Sequence, residues 1–256
     1  MSNTTDLTPS PSCFARLGRL LVALEWKLYS TLLLRSLLPT TYSSVRLHLL
    51  GELPSDSGVN IASQVVWLSL VFKVLQELFI MPLYFILGGT ITDLIETRNK
   101  VKTGLVLLSG VFAITSGAVY LALPTLVEAM AQSPDLMEVT IDYIRVEVFG
   151  FFVESVNGFL IIRMQLMKLN KVLLISLLLK LLLTISLDIL LLSPLSFSFK
   201  LGVQGVAYSS LLTNLATFLL LLILLQYHLP LHLLTWRTCN FTWLHTWIRL
   251  SLFSGT

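Results

Sequence analysis

The chain has 256 residues, 55% of them hydrophobic and only 12% charged, with a mean hydropathy of +0.84 and a formal net charge of +3. Soluble globular domains carry about twice that share of charge, which argues against a soluble enzyme or a nucleic-acid-binding domain and for a polytopic membrane protein. Lipid offers no partner to an open strand edge, so the expected fold class is all-α, a membrane helix bundle.

Residues 1–24, opening MSNTTDLTPSPSCFARLGRL, place Ser, Thr and Pro ahead of any apolar run, unlike a secretory signal, and read as a cytosolic N-terminal tail. The membrane region, 25–227, offers six runs long enough to span, since a span needs about 20 mostly apolar residues. They lie at 28–50, 60–87, 104–130, 144–167, 171–193 and 203–227. Residues 228–256 mix Trp236, Trp243 and Trp247 with two arginines and three histidines. That segment is too interrupted for a span and reads either as interfacial, with the tryptophans at headgroup level, or as a tail atypical of the fold.

The connecting segments carry their bases on alternate sides. Arg16 and Arg19 precede the first span, Arg98, Lys100 and Lys102 separate the second from the third, Lys168 and Lys171 the fourth from the fifth, and Arg237 and Arg249 follow the sixth. The other side holds Glu52, Asp56, Asp135, Glu138 and Asp142, with Lys200 as its only base. By the positive-inside rule both termini are cytosolic, and a plasma-membrane location is expected.

Polar residues within the runs fall into stripes, because each helical residue advances by about 100°. Arg35, Pro39, Tyr42 and Arg46 lie within roughly 60° of one another, and Ser69, Lys73, Gln76, Glu77 and Tyr84 within roughly 100°. Glu147, Gly150, Glu154, Asn157, Gly158 and Gln165 share a third stripe, while Ser176, Lys180, Thr184 and Asp188 drift along a fourth. The sixth run adds Ser210, Thr213, Asn214 and Thr217 behind the small residues of GVQGVAYSS, which favour close helix approach.

The embedded charges balance, with Arg35, Arg46, Lys73 and Lys180 against Glu77, Glu147, Glu154 and Asp188. A charge at the bilayer centre costs between about 3 and more than 10 kcal/mol, so these groups must face one another or water. Two explanations stand side by side. In one the charges neutralise each other as packing glue, Lys73 and Glu77 forming an intrahelical pair. In the other they line a hydrated cavity through which a solute or ions pass.

Other chemistry is not signalled. There is no Walker loop, dinucleotide fingerprint or HExxH, so neither catalysis nor a cofactor is expected. Cys13 and Cys239 have no metal spacing, and His48, His228, His232 and His245 are scattered. Acceptor-type sequons at Asn3 and Asn240 fall in segments expected to be cytosolic.

Read in order, LHLLGEL, MPLYFILGG with its charged turn, SPDLMEVTIDYIRVEVFG, LDILLLSP and LGVQGVAYSSLLTN resemble the amino-terminal half of a multidrug and toxic compound extrusion (MATE) transporter. That family lies in the multidrug, oligosaccharidyl-lipid and polysaccharide exporter superfamily, and the likeness covers about residues 25–227. It implies one six-helix lobe of a transporter whose two lobes share an orientation, so the chain is either a piece of a longer product or half of a parallel homodimer. Two departures stand out. Arg46 falls where many relatives keep an aspartate tied to proton or sodium coupling, and the family's Gly-Asp-Thr-Arg turn after the fourth helix is replaced by KLNKVLLIS.

The resemblance implies a secondary-active antiporter exporting a small organic solute, coupled to a proton or sodium ion, with membrane lipid around it. Glu77, Glu154 and Asp188 are the candidates for reversible ion occupancy. Arg35, Tyr42, Arg46, Lys73, Gln76, Glu147, Asn157, Lys180 and Asn214 complete the expected pathway. A lipid-linked oligosaccharide flippase, with the span-one arginines on a pyrophosphate, and a non-transporting truncated membrane protein are the alternatives.

Overall fold

A computed structural model describes residues 33, 37, 40, 42–47, 50–51, 57–89, 93–192, 198–228 and 241–253. The N-terminal tail, Arg35, Pro39, His48, Trp236, His232, Arg237, both cysteines and both sequon asparagines lie outside the described residues. The chain divides into two units, Met1–Thr41 and Tyr42–Thr256. In the first, residues 33, 37 and 40 are helical. The second begins with a helical segment at 42–47 and continues through α1 (Ser57–Gln64), α2 (Val66–Gly88), α3 (Leu94–Ala129), α4 (Pro134–Leu166), α5 (Asn170–Leu192), α6 (Val203–His228) and α7 (Leu244–Phe253).

The described residues are all helix and turn, with no strand among them, as the lipid argument requires. Four helical stretches are long and apolar enough to cross a membrane: Gly58–Gly88, Ile95–Ala129, Asn170–Leu192 and Val203–His228. These mark an integral membrane protein. The fifth long helix, α4, carries Glu147 just before its midpoint and Glu154 and Arg163 beyond it, and packs on α1, α2, α3, α5 and α6.

Helix ends extend past the apolar runs where capping favours it. The α3 helix starts ten residues before the expected 104, because the Asp93 carboxylate accepts hydrogen bonds from the Ile95 N–H (2.9 Å) and the Glu96 N–H (3.1 Å). Arg98, Lys100 and Lys102 therefore stand on helix rather than in a loop. At α4, Pro134 opens the helix from its first turn, where a missing N–H costs nothing, and Asp135 sits favourably at the positive end. The α4 helix closes with Lys168 at φ 58°, its N–H bonded to the Gln165 carbonyl and the Leu169 N–H to that of Met164.

Aromatic packing joins the first three long helices. Phe72 of α2 stacks on Phe151 of α4 at 5.3 Å and on Phe112 of α3 at 6.5 Å, both centroid to centroid. Gly104 lets α3 press against the Phe159 ring, which lies 3.0 Å from where a Cβ would be. Gly205 does the same for α6, where a Cβ would meet the Leu191 carbonyl at 3.1 Å. The chain leaving α5 folds back on that helix, Phe199 and Leu201 N–H donating to the Leu190 and Leu191 carbonyls at 2.9 Å.

The α7 helix, too short to span, packs on α2. Trp243 and Trp247 are buried against the apolar core. The Trp247 indole donates to the Phe79 carbonyl at 2.9 Å and lies 5.6 Å from the Phe79 ring.

Candidate functional site: a polar seam through an apolar bundle

Arg46, on the first helical segment of its unit, reaches Asp188 on α5. Its Nε lies 3.0 Å from one carboxylate oxygen and its Nη2 3.0 Å from the other, a two-pronged bridge. The same guanidinium donates to Ser210 Oγ (2.9 Å) and Ser209 Oγ (3.2 Å) on α6. Tyr42, one turn before Arg46, donates its hydroxyl to Asp188 and places its ring 5.7 Å under the guanidinium carbon. The Asp188 side chain is 1% exposed and that of Arg46 20%, so this pair is nearly sealed.

The next charges along the seam are open. Lys180 Nζ of α5 lies 3.9 Å from Glu154 Oε1 of α4, with the two side chains 32% and 45% exposed. Lys180 stands ten residues from the start of α5 and twelve from its end, about 15 Å or more from each. This is a half-open ion pair at membrane depth. Opposite helices contribute uncharged groups, with Gln76 of α2 donating to Ser155 Oγ of α4 at 2.9 Å.

Between α4 and α6 the polar groups serve packing. The Asn157 amide donates to the Asn214 backbone carbonyl (3.0 Å), and the Asn214 amide to the Gly150 carbonyl (3.3 Å). Thr184 and Thr213 hydroxyls approach to 3.4 Å across α5 and α6, while Ser155, Ser176, Thr184 and Thr217 also bond their own helix one turn back. Glu147 is buried and accepts from the Tyr143 hydroxyl at 3.3 Å.

The sequence-derived residues thus separate into groups. Tyr42, Arg46 and Asp188 meet, Lys180 meets Glu154, and Asn157 meets Asn214. Lys73 and Glu77 are exposed on α2 and make no ion pair with each other, so the expected intrahelical bridge does not form between these described residues. Arg35 lies outside the described residues. The stripe argument missed Ser209, Tyr143 and Ser155. A signal for the first was present, since Ser209, Thr213 and Thr217 repeat at i, i+4 on α6.

No group of three or more potential metal ligands occurs among the described residues. No protein-family model, no curated protein and no solved structure matches the chain.

Proposed function

We propose that the protein is a secondary-active membrane transporter, an antiporter-type exporter of small organic solutes coupled to a proton or sodium ion. The observation that carries this reading is the Glu154–Lys180 pair, 3.9 Å apart and substantially exposed at the middle of the bundle. Charges needed only for packing would be sealed, as Arg46 and Asp188 are; charges left open at that depth call for a water-filled path, because lipid does not tolerate them. Lys73 and Glu77, exposed on α2, extend the open charge along the same reading.

Six membrane helices forming one MATE-like lobe, both termini cytosolic and a plasma-membrane location belong to this proposal, resting on the apolar runs, loop charges and motifs of the sequence. A homodimer or a second lobe would supply the opposite wall of the path. Glu154 is the favoured site of ion loading: unlike Asp188 it is held only weakly by its cation. A solute exporter is preferred over a lipid-linked-sugar flippase, because Arg46 already directs Nε, Nη1 and Nη2 to Asp188, Ser209 and Ser210 instead of presenting a fork to phosphate.

The test is flux of cationic dyes and of protons or sodium in proteoliposomes. Gradient-driven flux that disappears in Glu154→Gln is expected. Flux of no solute in the wild type would favour the non-transporting reading, and flux of a lipid-linked sugar alone the flippase.

A further inference from the structure

Arg163 stands in the last turn of α4, 3% exposed, and its Nε and Nη1 have no hydrogen-bond partner. No acid lies within ion-pairing distance of it among the described residues. A buried guanidinium without a counter-charge is among the least favourable arrangements in a protein, and an unpartnered fork of donors is suited to an oxyanion.

Its surroundings are cationic. The short turn between α3 and α4 makes them antiparallel, and Gly104 faces Phe159. Four residues further toward the same end on each helix, about 6 Å, bring Lys100 and Arg163 to one level. Among the described residues that end also holds Lys168 and Lys171, both exposed, and, on α3, Arg98 and Lys102, which have partners of their own; its described acids are Asp93 and Glu96. Both acids are committed, Asp93 to capping α3 and Glu96 to Lys100 at 2.9 Å. Helices α3 and α5 begin here as well, adding their positive N-terminal ends.

We propose that this end of the bundle binds a phosphate group, with the Arg163 guanidinium as its central donor and Lys168 and Lys171 at its edge. A phosphate supplies several acceptor oxygens and the missing negative charge together. An anionic lipid headgroup and free phosphate offer the same chemistry. Under the positive-inside reading this end meets the cytoplasmic leaflet, where anionic lipid is concentrated.

The experiment uses the full chain in neutral detergent as wild type, Arg163→Met and Arg163→Lys. Each is titrated with phosphatidylglycerol against phosphatidylcholine, and with sodium phosphate against sodium chloride at matched ionic strength. Bound lipid is counted by native mass spectrometry, and the unfolding temperature is followed in parallel. Wild type should hold phosphatidylglycerol about 10-fold more tightly than Arg163→Met, the effect of one charge-assisted hydrogen bond, with partial rescue in Arg163→Lys. An Arg163-dependent shift with sodium phosphate alone supports the site and identifies free phosphate as the source. Equal binding of both anions by wild type and Arg163→Met overturns the proposal, as does a wild type indifferent to both. Should Arg163→Met fail to fold, the exposed Lys168→Gln/Lys171→Gln pair replaces it; weaker binding supports the site and unchanged binding sinks it.

Discussion

Arg46 and Asp188, 142 residues apart in the chain, close a two-pronged ion pair with both contacts at 3.0 Å, and two α6 serines complete the guanidinium's shell. The arrangement binds the first helical segment to α5 and α6 through one buried carboxylate. It also explains how an arginine is tolerated in an apolar run: nearly every donor it carries has an acceptor.

Removing one partner should cost far more than removing both. Arg46→Met leaves Asp188 buried with the Tyr42 and Ser209 hydroxyls but no cation, and a loss of about 3 kcal/mol is expected, at the low end for a broken buried pair because hydroxyl donors remain. The double variant Arg46→Met/Asp188→Asn should recover about half of that loss or more. Chemical unfolding in micelles, read as a double-mutant cycle, measures the coupling, and strictly additive losses would contradict a direct pair.

The Glu154–Lys180 pair should behave in the opposite way. With both side chains open to their surroundings, Glu154→Gln and Lys180→Gln should each change stability by about 1 kcal/mol or less. Flux in proteoliposomes, however, should fall at least about 10-fold for Glu154→Gln, as for loss of an ion-loading group. A large stability loss with unaltered flux would reassign the pair to packing.

Ala131 follows the end of α3 with φ 53°, a left-handed conformation in which a Cβ is strained. Ala131→Gly should therefore stabilise the protein by about 0.5–1 kcal/mol despite the greater freedom of glycine in the unfolded chain. A rise in unfolding temperature checks it, and a fall would show that the turn tolerates the side chain.

Trp247 joins α7 to α2 through both ring and indole N–H. Trp247→Phe keeps most of the apolar contact and loses the bond to the Phe79 carbonyl, for an expected loss of about 1 kcal/mol. Trp247→Ala should lose about 3–5 kcal/mol. Limited proteolysis of the C-terminal region would report the undocking, with cleavage faster in the alanine variant than in the phenylalanine one.

The sequence already held the helical class and the approximate positions of the long helices, because hydropathy and the 100° advance are local properties. It held less about their ends. The stretch from Leu94 to Lys102 is polar enough to fall outside an apolar run, yet the Asp93 cap makes it helix. Hydropathy reads the thickness of the lipid, whereas helix limits follow capping and backbone hydrogen bonds.

The sequence by itself determined that charges are embedded among apolar residues, that they balance, and that they lie in stripes, including Arg46 and Tyr42 on one face. Only the tertiary structure decided which charges meet: Arg46 with Asp188, Lys180 with Glu154, and Lys73 and Glu77 not with each other. It also decided that Trp247 is buried and that Nε and Nη1 of Arg163 have no partner among the described residues. The physical reason is one of range. A stripe depends on residues one turn apart, but a partner depends on the relative height and rotation of helices brought together from distant parts of the chain.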